Sequence, residues 1–303
     1  MTMNSNKNYR QIVLEAVNKK YRKRLLVDKL VTIFTIVCVI AAIVPLASIL
    51  LEVIKNGISA ISFEFLTQTQ GSIGSGSGGI APAIQGTIIV VGLAAAIATP
   101  VGVLTGIYLS EFAKEGAFSN AVRFFNDVLT GLPSIVVGIV GYVVIVLAIG
   151  SFSVLAGALS LSIIMMPIVV RVTEETLKVV PYSLREAGHS LGLSKAKITL
   201  FIVLPAAKDG ILTGIVVAIS RIAGETAPLI MTILGTSLFF TGITGPVDAL
   251  PLRIWRLASQ PYESAHSFGW GSALVLILLI LALSMGLRPV SYTHLTLPTI
   301  YSV

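Results

Sequence analysis

The chain has 303 residues, of which 55% are hydrophobic and only 12% charged, with 21 Lys and Arg against 14 Asp and Glu for a formal net charge of +7. Soluble domains carry roughly 25% charged residues, so a water-soluble globular enzyme is excluded, and the apolar content is far too high for a disordered chain. A single cysteine, Cys38, excludes an intrachain disulfide.

In a bilayer the counting unit is a run of about 20 apolar residues. Residues 31–51 form the first such run, free of charge and preceded by a basic segment over 1–30. It is longer than the apolar core of a signal peptide and lacks a small-residue cleavage site, so it reads as a retained helix. The next run is 80–110. Residues 128–170 are too long for one span and divide at Gly150-Ser151. Residues 210–234 form a span interrupted by Arg221 and Glu225, and 267–287 form the last. The runs are continuous rather than alternating, which predicts six helices and not barrel strands. Pro45, Pro100, Pro133 and Pro167 fall inside spans and are expected to kink them. Of the two larger loops, 52–79 ends in the flexible run GSIGSGSGG, and 235–266, with Pro246, Pro251 and Pro261, reads as a turn-rich segment or short helix.

Most of the 21 Lys and Arg residues lie before the first span, between spans two and three, and between spans four and five. By the positive-inside rule these segments and both termini are cytoplasmic, so the basic excess is a topology signal and not a nucleic-acid site. The glycine run over 71–79 lacks the Lys-Ser/Thr of a phosphate-binding loop, and no His-Glu-x-x-His or Gly-x-Ser-x-Gly occurs. His189, His266 and His294 have no ligand spacing. Energy for any transport must therefore come from another chain or from a gradient.

The cytoplasmic loop 171–208 is the most informative segment. Leu184, Ala187 and Leu191 form an apolar stripe at helical spacing, Gly192 can end that helix, and Ser194 can cap a second helix over 195–204. A short amphipathic helix of this kind suits either insertion into a groove on a partner or a position on the lipid surface.

Within this loop Glu186, Ala187, Gly188, Gly192, Ile202, Leu204 and Pro205 match the EAA motif of ABC-importer permeases, with Gly188 where alanine is usual. GGIAPAIQGT (78–87), GLPSIVVG (131–138), MMPIVVRVTEE (165–175) and SRIAGETAPL (220–229) further resemble the PstA-type permeases of phosphate ABC importers, over about residues 25–287. The resemblance implies an all-α polytopic membrane protein with the type I ABC importer fold, and an inner-membrane location. The implied partners are a sister permease forming a heterodimer, two copies of a cytoplasmic ATPase and an extracytoplasmic phosphate-binding protein. The EAA loop is then the part that docks into the ATPase. No cofactor is expected in this chain, since ATP and magnesium belong to the ATPase.

Arg221 and Glu225 need a reason to lie in a span, because a charge at mid-bilayer costs at least about 2.5–3.5 kcal/mol. Spaced i, i+4, they are expected to share a helix face and to pair, with Ser220 and Thr226 adding hydroxyls. One reading is a translocation site in which the planar guanidinium of Arg221 meets an oxyanion and Glu225 limits its retention. The other is a self-neutralised pair that fixes helix packing. Glu111 and Asp127 read as solvated, and Arg171 either assists anion exit or anchors its helix at the interface. The segment 288–303 has no helical period and is set apart as a foreign tail.

The function expected is that of the membrane-spanning subunit of an ATP-driven phosphate importer. Its alternatives are a permease for sulfate or molybdate, a gradient-driven transporter with Glu225 as proton carrier, and a membrane scaffold.

Overall fold

The computed structural model describes residues 3–71, 78–114 and 116–287. The predicted tail from 288 and most of the glycine run, 72–77, lie outside the described residues. Residues 1–55 and 56–303 are two separate units. Almost all of the first is α1, Met3–Ile58. No glycine or proline precedes Pro45, so nothing interrupts the helix between the basic segment and the first span, and Arg24–Ile58 is long and apolar enough to cross a membrane.

The second unit opens with α2, Phe63–Thr67, capped by Ser62 Oγ, which accepts from Phe65 N at 3.1 Å. α3, Ala81–Ile107, carries Pro82 in its first turn, where a missing N–H costs nothing, and ends in a wide π turn, Tyr108–Phe112. α4, Ala117–Gly131, then meets a bend of 102° before the stretch Ser134–Ile149. That stretch comprises α5, Ser134–Gly141, a second π turn over Tyr142–Val146, and α6, Leu147–Ile149. Pro133 was expected to kink a single span. It breaks it instead, because proline forces the preceding Leu132 into extended backbone (φ −71°, ψ 133°). Among the described residues there are thus five continuous candidate spans, or six when the bent pair is taken as one.

α7, Val154–Val179, is the central helix. Its Val154, Ala158, Leu161, Met165 and Val169 are buried against Val90, Val91, Ala94 and Ala98 of α3. Its other neighbours include α10, Leu204–Ala223, and α11, Ala227–Thr232. Small residues set these distances, as they do wherever lipid offers no hydrophobic drive for helix association. A Cβ on Gly106 of α3 would lie 2.6 Å from Thr173 Cβ and 2.8 Å from Val170 O of α7. Gly106→Val is therefore expected to cost about 1–3 kcal/mol, read as a lower temperature at which the detergent-solubilised protein loses its monodisperse chromatographic peak. An unchanged profile would mean that α3 and α7 separate without penalty.

The loop after α11 is ordered, as its prolines suggested, and contains α12, Leu250–Ala258, before the last span, α13, Glu263–Leu287. Backbone N–H groups at the start of α7 hold the end of α11 and the loop: Ser153 bonds Thr232 O (3.0 Å), Val154 bonds Gly245 O (3.1 Å) and Leu155 bonds Ile243 O (3.0 Å). From α3, Gln85 Oε1 accepts from Phe240 N (2.9 Å) and Thr87 Oγ1 from Leu250 N (2.8 Å). Beneath the loop, Asp248 and Arg253 form a buried ion pair at 2.7 Å, with side chains 0% and 2% exposed. Burial pushes the Asp248 carboxyl up and the Arg253 guanidinium down, and their mutual attraction offsets only part of the lost hydration. Gly235 (φ +75°) leaves room for Arg256, since a Cβ there would lie 2.6 Å from its Nη1.

Candidate functional site

The predicted amphipathic helix is α8, Tyr182–Ser190, and it ends at Gly192 in the left-handed conformation (φ +72°) that glycine adopts without strain. Leu184, Glu186, Ala187 and Leu191 are exposed, Leu191 at 78%, so the stripe points away from this chain's core. Gly188 is the buried residue of the motif. A Cβ on it would lie 2.8 Å from Ile198 Cγ1 and 3.1 Å from Ile202 Cδ1, which accounts for glycine where alanine is usual. The second helix begins as α9, Lys195–Ile198, and continues through a third π turn, Thr199–Val203, into α10. Ser194 occupies its N-cap position without making the expected capping bond. Leu204 and Pro205 start α10, in the turn where proline is tolerated.

Glu111 was expected to be solvated and is not. It is 8% exposed in the π turn after α3, and Arg185 of α8 donates to its Oε1 at 2.6 Å and Oε2 at 3.2 Å. The same guanidinium donates to Val180 O (2.7 Å) and Leu177 O (2.9 Å) at the end of α7. Nearby, Glu174 accepts from Arg123 of α4 (3.0 Å) and Lys178 (2.6 Å). Arg171 is exposed and pairs with Glu175 (3.3 Å) and Asp127 (3.7 Å), and Asp127 is solvated as expected.

Inside the membrane-spanning part, the residues 210–234 do not form one helix. α10 stops at Ala223, and Gly224–Thr226 separate it from α11. Glu225 therefore lies past the helix end, the helical i, i+4 geometry does not apply, and no ion pair joins it to Arg221 among the described residues. Arg221 stands in the last turn of α10, where the carbonyl end of the helix dipole favours a cation. Its side chain is exposed and that of Glu225 half-buried. The Ser220 hydroxyl bonds Val216 O (2.8 Å) and Ser284 Oγ of α13 (2.9 Å). Thr226 occupies the N-cap position of α11 without a side-chain cap. The first turn of α11 packs on α5, since a Cβ on Gly138 would lie 2.8 Å from Pro228 Cα. The GLPSIVVG and SRIAGETAPL segments thus meet.

Residues 98–295 match the family described as binding-protein-dependent transport system inner membrane component. The phosphate transport system permease protein PstA of Yersinia pestis is 36% identical over 273 residues, covering 90% of this chain and 92% of that protein. PstA of Xylella fastidiosa is 43% identical over 212 residues, 70% of this chain and 74% of its own length. The chain belongs to the PstA permeases. A bacterial alginate ABC transporter, solved with an alginate-bound periplasmic protein, shares the fold with a TM-score of 0.63 at 16% identity, over 88% of this chain and 94% of its own.

The permease is a multi-pass inner-membrane component with the type I ABC importer fold, and a transporter subunit rather than an enzyme. Three charged contacts that organise it were missed from the sequence: Glu111–Arg185, Glu174 with Arg123 and Lys178, and Asp248–Arg253. The signal available for the first was the position of Glu111 directly at the end of the charge-free run 80–110.

Proposed function

We propose that this permease is one of two membrane-spanning subunits of an ATP-driven phosphate importer and forms half of its translocation pathway. The observation that carries the reading is the helix break at Gly224–Thr226, beside Arg221, in a chain 36% identical to a phosphate permease over 90% of its length. Non-helical backbone at membrane depth persists where it lines a cavity or is covered by protein, and discontinuous helices place substrate sites near the midplane. Arg221, Glu225, Ser220 and Thr226 are assigned to this pathway, with Arg221 supplying a permanent, planar, bidentate donor to the oxyanion. Glu225 weakens retention so that the anion leaves as readily as it enters.

The motif residues Glu186, Ala187, Gly188, Gly192, Ile202, Leu204 and Pro205 form the loop that docks on the ATPase. The partners are a sister permease, two copies of a cytoplasmic ATPase holding ATP and magnesium, and an extracytoplasmic phosphate-binding protein. Both termini are cytoplasmic, a reading supported by the distribution of Lys and Arg.

The test is radiolabelled phosphate uptake in cells lacking their own importer and expressing this chain with those partners. Uptake is expected to survive an uncoupler that leaves ATP available and to ignore excess sulfate and molybdate. Collapse with the proton gradient, or competition by either oxyanion, would overturn the reading.

A further inference from the structure

We infer that Arg185 is a positioning residue that fastens the coupling helix to the inner ends of α3 and α7, so that displacement of α8 moves both with it. The inference rests on the reading of α8 as the ATPase-docking helix. One side chain makes four charge-assisted bonds to two different elements. It donates to Leu177 O and Val180 O where α7 ends, the first of which also accepts from Val180 N, and to both carboxylate oxygens of Glu111, 74 residues away in the turn after α3. The two side chains are 15% and 6% exposed, so water cannot readily replace the bonds. The corner between α7 and α8 is short, with Val180 extended and Pro181 fixing the next φ near −57°. Arg185 folds back across this corner and closes it. One turn further along the same side, α8 rests through Gly188 on Ile198 and Ile202, which lead into α10. The helix is therefore tied to α3 and α7 by hydrogen bonds and to α10 by packing, and a push on its exposed face reaches all three.

Lysine keeps the charge but offers a compact ammonium that cannot span two carbonyls and two carboxylate oxygens. In the complete complex reconstituted in proteoliposomes, Arg185→Lys is expected to lower phosphate transported per ATP hydrolysed by about tenfold, inside the range of about 5- to 150-fold that site-to-site couplings span. Glu111→Gln, which keeps the buried volume, is expected to lower the same ratio less, and it decides the matter if Arg185→Lys does not assemble. A ratio unchanged in an assembled variant overturns the inference.

A second readout is independent of substrate. Spin labels at Lys114→Cys and Ser190→Cys, with Cys38→Ser, report the distance between the turn after α3 and α8. It is expected to stay constant on adding ATP in the otherwise native complex and to change in Arg185→Lys. A distance that shifts in the native complex, or is equally constant in the variant, overturns the inference. If wild-type complex fails to transport phosphate while the distances behave as expected, the substrate assignment falls and the fastening stands.

Discussion

Replacing Arg253 with methionine is expected to destabilise the permease by about 3–5 kcal/mol, because it leaves the Asp248 carboxylate buried without its partner. The pair is 2.7 Å apart, fully enclosed, and placed where α12 and the preceding loop fold over the N-terminal ends of α3 and α7. Neither group reaches water, so the cost of removing one is the desolvation of the other and not the modest worth of a surface salt bridge. The double variant Asp248→Leu with Arg253→Met is expected to recover most of the loss, since an apolar pair of similar volume has no charge to desolvate. Heating detergent-solubilised protein and measuring the fraction that remains monodisperse separates the two. A single variant as stable as wild type would mean that Arg256 or water compensates Asp248 fully.

Arg221→Lys is expected to reduce phosphate uptake by about tenfold or more, equivalent to about 1.4 kcal/mol lost at the rate-limiting barrier, and Arg221→Ala to abolish it. Assembly should persist in both, because Arg221 is exposed in this chain and makes no ion pair among the described residues. Co-purification with the partners alongside uptake distinguishes a pathway role from a packing role. Full uptake in Arg221→Lys would exclude bidentate recognition, and loss of the complex in Arg221→Ala would return the residue to helix packing. The absence of a pair with Glu225 sharpens this expectation: the guanidinium is balanced by a helix terminus, which leaves its donors open to an incoming anion.

Span positions were legible because a charge-free run of apolar residues has few other fates, and the loop motif was legible because its glycine and proline act locally. Gly192 ends α8 by its own backbone preference, and that needs no tertiary information. What escaped were features decided by partners distant in sequence. Glu111 looks solvated until α8 brings Arg185 to it, and Arg253 looks like an outer-loop charge until α12 turns it inward onto Asp248. Gly224 lies within the apolar run 210–234, which by itself predicts one continuous span. With Pro228 close behind, it ends α10 and lets a new helix begin. Pro133 announced a bend but not its size, which depends on α4 leaving at 102°.

That bend has a consequence for the surrounding lipid. At about 1.5 Å per residue the stretch Ser134–Ile149 is about 24 Å long, whereas a typical hydrocarbon core is about 30 Å thick. Val136, Ile139, Val143, Val144 and Leu147 are exposed along it, so its flank meets either acyl chains or another protein. Where it meets acyl chains, the bilayer must pinch by several ångströms or the stretch must sink towards one leaflet, each at a fraction of a kcal/mol per ångström of hydrophobic mismatch. A flank of that length facing lipid favours thin membranes while the long helices favour thick ones, so acyl-chain length then enters the cost of seating the permease in the bilayer.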